Sequence, residues 1–146
     1  MALKSHWDRF DPVICLCESD RLKDAVALAE EISHGASTVQ LFCTDNEVIG
    51  RIIPAYINAY LRSSDGSMRT KSIRSEMLIF VSGKTDISKA MAACGARENR
   101  FVVFSSDKAA FKLFVKKRLV TVLKMHKPSL DLDVAQSVAA TELRSE

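Results

Sequence analysis

The chain has 146 residues, 47% of them hydrophobic, enough for one domain with a buried core and too few to expect two. No run approaches the roughly eighteen apolar residues of a membrane span, and the start MALKSHWDRFD lacks the apolar stretch of a secretory leader, so a soluble, cytoplasmic protein with no membrane partner is expected. The formal charge of +3 conceals an asymmetry: residues 51–127 hold sixteen Lys or Arg against five Asp or Glu, while residues 1–50 hold four against nine and residues 128–146 one against four. A basic middle between acidic ends suggests a polyanion partner such as RNA, with solvated helix faces as the plainer account of the same charges.

Val13 to Cys17 (VICLC) is a short apolar run after Pro12 and predicts a buried strand. Ser19 or Asp20 then caps a helix in which Leu22, Ala25, Val26, Ala29 and Ile32 repeat at helical spacing. Thr38 to Cys43 predicts a second strand. Thr44 and Glu47 have the spacing of a capping box, and the helix they open carries Val48, Ile49, Ile52, Ile53, Tyr56, Ile57, Tyr60 and Leu61 on one broad face. Pro54 lies inside it with Gly50 four residues earlier, so a kink rather than a break is expected.

A further helix is expected from about Thr70 to Val81, with Ile73, Met77, Phe80 and Val81 inward and Arg69, Lys71 and Arg74 in or before its first turns. Cations are misplaced at the positive end of a helix, which suggests that they serve something other than stability. A tight turn, Ser82-Gly83-Lys84, follows; its backbone amides and cation could hold an anion. Thr85 is expected to cap a short helix with Ile87, Ala90, Met91 and Cys94 inward, which Gly95 ends in the left-handed conformation.

Arg100 to Ser105 predicts a third strand. Ser106-Asp107 opens a helix with Phe111, Phe114 and Val115 inward and Lys108, Lys112 and Lys116 on the far side, and Leu119 to Met125 is read as a fourth strand from its Val-Thr-Val centre. A last helix is expected after Pro128, with Leu130, Val134 and Val138 on one face. The pattern is that of a single mixed α/β (α+β) domain over residues 1–146, a small sheet of three or four strands covered by helices.

Chemistry is harder to find. Five glycines include no phosphate-cradling pattern, no histidine is placed to activate a hydroxyl, and the four cysteines and three histidines show no metal-ligand spacing. The expectation is therefore a non-enzyme without cofactor or metal. A pure protein adaptor and a small enzyme of unknown type remain the alternatives.

Residues 67–96 carry a more specific signal: S-M-R-x-K-S-I-x-x-E-M-L-x-x-x-S-G, then D-I-x-x-A-x-x-x-x-G-A. The pattern, through Arg69, Lys71, Glu76, Met77, Leu78, Ser82, Gly83, Ile87, Ala90 and Gly95, resembles the small kinase-binding subunit family of the KEOPS (EKC) complex, the PRPK-binding protein family. The resemblance implies a non-catalytic subunit that docks on a small atypical PRPK-type kinase/ATPase, meets other KEOPS subunits through it, and supports threonylcarbamoyladenosine modification of tRNA. It also implies tRNA binding. On that reading Arg69, Lys71, Arg74 and Lys84 contact phosphates around the Ser82-Gly83 turn, and the face Leu130, Val134 and Val138 contacts the kinase. Some relatives have Arg or Gln after the Ser-Gly turn where this chain has Lys84-Thr85, and the region after Ser105 is shorter and richer in lysine.

Overall fold

The computed structural model describes residues 10–127. In chain order they form β1 (Val13–Glu18), α1 (Leu22–Ile32), β2 (Val39–Phe42), α2 (Asn46–Asp65), α3 (Ile73–Ser82), α4 (Ile87–Cys94), β3 (Arg100–Ser105), α5 (Lys108–Lys116) and β4 (Thr121–His126). The strands order as β2-β3-β1-β4, with every neighbouring pair antiparallel. This is an α+β domain, and the segment read as a fourth strand from its Val-Thr-Val centre is one, β4. The helix expected after Pro128, with Leu130, Val134 and Val138, lies outside the described residues.

Alternation along the strands explains why VICLC is apolar throughout. Ile14 faces one side with Phe42, Val102 and Phe104, under the helices α2, α3 and α4. Cys15 and Cys17 face the other side with Val39, Leu41, Phe101 and Val103, under α1 and α5. A strand buried on both faces has no polar face to display. The sulfurs of Cys15 and Cys17 lie 3.4 Å apart, both thiols free, well beyond the ~2.05 Å of a disulfide. At the far edge β4 pairs with β1 through a register shift that leaves Leu123 as an extra residue.

α2 runs unbroken through Pro54, whose carbonyl accepts from the Asn58 side-chain amide at 3.0 Å. Tyr56, at its centre, is fully buried, stacks on Phe10 with ring centroids 5.1 Å apart and donates its hydroxyl to Ala36 O at 2.8 Å.

Four helix boundaries differ from the sequence expectation. α1 starts after Arg21 with no side-chain cap, because the Ser19 hydroxyl is occupied in accepting from Arg21 N and donating to Leu119 O. α2 is capped by Asp45, whose carboxylate accepts from Glu47 N at 2.8 Å, rather than by Thr44. α3 begins at Ile73 behind Ser72, so Arg69 and Lys71 precede the helix. α4 is capped by Asp86 rather than Thr85. Two side chains expected inward, Leu61 of α2 and Met91 of α4, are exposed instead, each lying at the margin of its helix's apolar face.

Gly95 is a different kind of correction. It is extended, with φ −72°, and not left-handed. A Cβ there would lie 2.7 Å from the Met91 carbonyl oxygen, and the residue bridges to Phe42 while Cys43 N donates to Cys94 O at 2.9 Å. Close backbone approach, not a positive φ, requires the glycine.

Candidate nucleic-acid interface

The segment before α3 is built around Glu76, which is fully buried although charged by type. Its carboxylate accepts from Arg69 N at 3.1 Å, Thr70 N at 3.0 Å and the Thr70 hydroxyl at 2.8 Å. Burying a carboxylate is tolerable only with this degree of hydrogen bonding. The consequence is a fixed loop: the amides of residues 69 and 70 already hold an anion, and it belongs to the protein. Lys71 leaves the loop exposed.

Arg74 has a structural role that its place in a basic run did not reveal. Strand β2 is an edge, so the N–H and C=O groups of Val39 and Leu41 point away from the sheet and need partners. The Arg74 Nε donates to Val39 O and its Nη2 to Gln40 Oε1, both at 3.1 Å. Gln40 in turn donates to Arg74 O and accepts from Leu41 N, each at 2.9 Å. Ser33 closes the remaining gap by accepting from Val39 N at 2.9 Å. Burial lowers the pKa of the Arg74 guanidinium, with Glu30 opposing that shift. An arginine remains charged under such a shift, so Arg74 caps the sheet edge as a cation.

At the other end of α3 the turn closes on itself. Gly83 is left-handed at φ 71° and donates to Ile79 O, and Lys84 N donates to the Ser82 hydroxyl at 3.1 Å. These amides are therefore occupied, and the turn sits at the negative end of α3, where a cation such as Lys84 is favoured and an anion is not. Asp86 occupies the start of α4, accepting from Lys89 N at 3.1 Å. What the turn presents to solvent is the exposed side chain of Lys84.

The six residues expected at one site thus divide into two groups. Arg69, Lys71 and Arg74 gather at the start of α3; Ser82, Gly83 and Lys84 gather at its end. The helix holds them apart, with Arg74 and Ser82 about 12 Å from each other along the axis. Lys71 and Arg74 of the first group line a cavity of about 380 Å³, together with Met68 and with Glu30, Ser33 and His34 from the end of α1. That lining mixes cations with an acid, and its Ser33 hydroxyl is committed to Ala29 O at 2.7 Å and to Val39.

The family model for the kinase binding protein CGI-121 matches residues 21–137, most of the chain. The chain belongs to the CGI-121 family. No curated protein matches the sequence. For this CGI-121 domain the match makes a kinase the partner class, and it spans the motif around Glu76, Ser82 and Gly83. Two residues of this segment, the motif position Glu76 and the neighbouring Arg74, are the ones that shape the surface. The signal for Glu76 in the sequence was a glutamate on an otherwise apolar face.

A second cavity, about 280 Å³, lies between the start of α2 and the loop before β3, lined by Cys43, Thr44, Asp45, Arg97, Glu98 and Arg100. Both signs of charge alternate there. Among the described residues no three His, Cys, Asp or Glu side chains are grouped to hold a metal ion. None of their helices is long and apolar enough to cross a membrane.

Proposed function

We propose that this protein is a non-catalytic accessory subunit of the KEOPS complex, which binds a PRPK-type kinase and tRNA and supports threonylcarbamoyladenosine formation, with the chemistry performed by other subunits. The observation that carries this reading is the CGI-121 family match over residues 21–137, which contains the motif by which the sequence resembles the KEOPS subunit. The tRNA arm is supported by the net positive middle of the chain and by the exposure of Lys71 and Lys84 on either side of a rigid helix. A non-catalytic role is supported by the engagement of the Ser33, Ser72 and Ser82 hydroxyls with backbone groups, which leaves them poorly placed as nucleophiles. Four free thiols, three of them buried, suit a reducing cytoplasm.

In this reading Lys71 and Lys84 are the phosphate contacts, Arg69 belongs to the same loop as Lys71, and Arg74 positions that loop from the sheet edge. Titration of the purified full chain with tRNA transcripts by fluorescence anisotropy is the test. Saturable binding that weakens steeply with salt is expected; its absence, with kinase binding retained, would leave a protein adaptor that never meets RNA.

A further inference from the structure

Between Lys108 and Lys127 the chain holds seven Lys or Arg and no Asp or Glu. All seven are exposed. Three of them, Lys108, Lys112 and Lys116, fall at i, i+4 and i+8 on α5, whose opposite face buries Ala110 and Phe114 against the sheet. The stripe is about 12 Å long, with steps of about 6 Å.

Among the described residues, helix stability does not account for this arrangement. Like charges four residues apart on a helix repel, and Lys108 sits at the end of α5 where the helix dipole already favours anions. Among the described residues only Lys108 of the three has an ion-pair partner, Asp11, at 3.0 Å, and both side chains there are more than half exposed. A stripe that weakens its own helix, and in which Lys112 and Lys116 have no ion-pair partner among the described residues, fits an external anion. The stripe is convex and no cavity described above includes it, so it offers no recess in which the side chains of a peptide could be told apart. Lysines on flexible stems act as point charges without the planar fork of arginine. These properties suit backbone phosphates, which repeat along a strand as single charges and carry no sequence information.

We propose that Lys108, Lys112 and Lys116 form a second RNA-contact surface, separate from the α3 region, that holds backbone phosphates without reading base sequence. The proposal rests on the RNA-binding reading above. The test compares full-length protein, the Lys108→Gln/Lys112→Gln/Lys116→Gln variant and a Lys71→Gln/Lys84→Gln variant, titrating tRNA and an unrelated structured RNA across a salt series. The stripe variant should lower the slope of log affinity against log salt by about two to three units, equally for both RNAs, with an unchanged circular dichroism spectrum. Wild-type affinity and slope in that variant, while the Lys71/Lys84 variant is weakened, would overturn this proposal and leave the first reading standing. Loss of kinase co-purification with RNA binding intact would assign the stripe to an acidic protein face instead, and overturn it too. Failure of the wild-type chain to bind either RNA removes both.

Discussion

At its amino end α3 is knitted into the molecule: Glu76 grips the loop before it, and Arg74 and Gln40 seal the edge of β2. At its carboxyl end a glycine and a serine close the chain upon itself, and Lys84 projects into solvent. The two ends share a composition, basic residues beside serines, yet one is a buried polar network and the other an exposed turn. Charge in a sequence therefore says little about whether a cation meets a ligand or its own backbone; what decides it is whether an unsatisfied main-chain group lies within reach.

The sharpest way to break this comparison is Glu76→Ala. It strands the N–H groups of Arg69 and Thr70 beneath the loop, and a loss of about 3 kcal/mol is expected in urea unfolding. A loss under about 1 kcal/mol would mean that the loop does not depend on the carboxylate. Arg74→Ala should cost about 2 kcal/mol by exposing Val39 O and Gln40, and Arg74→Lys should recover little of it because an ammonium cannot reproduce the fork. Recovery by lysine would return Arg74 to the role of a generic cation.

Next in size is a pH effect. Burial pushes the Cys94 thiol up to about 12 from an ordinary 9.0. Tyr56 is raised in the same direction, chiefly by burial. Above pH 9 the unfolded thiol loses its proton while the folded one keeps it, so the unfolded state binds fewer protons and stability falls as pH rises from 9 toward 12. About 1 kcal/mol should be gone one pH unit above the start of that window, and Cys94→Ala should flatten the slope there. An identical alkaline limb in the variant would exclude Cys94 as its source.

Smaller still, Gly83→Ala should cost about 1 kcal/mol: no atom lies within 4 Å of the added Cβ, so only the left-handed backbone is strained. Lys71→Ala and Lys84→Ala should each shift stability by less than about 0.5 kcal/mol, while lowering the salt slope of RNA binding by about one unit each. If either lysine moves stability more than Gly83→Ala does, the contrast between the two ends is misdrawn.

Element types were legible from residue order. Apolar runs marked the strands, helical spacing marked Ile52, Tyr56 and Met77 as inward, and the Ser-Gly pair located the end of α3, whereas the left-handed conformation expected at Gly95 is found at Gly83. Caps were less legible, because Thr44 and Asp45, or Thr85 and Asp86, are both capable acceptors and the choice depends on how the preceding chain arrives. The grouping of Arg69, Lys71, Arg74 and Lys84 into one site was a linear inference, and a rigid helix undid it.

Local patterning alone, then, determined that this chain makes short strands and amphipathic helices, since burial periodicity and turn chemistry act within a few residues. Only the tertiary structure decided the order β2-β3-β1-β4, the need for Gly95 and the tasks of Glu76 and Arg74. Each of these depends on which distant backbone groups are brought close, as Arg74 is to Val39 across thirty-five positions, and no local pattern encodes that proximity.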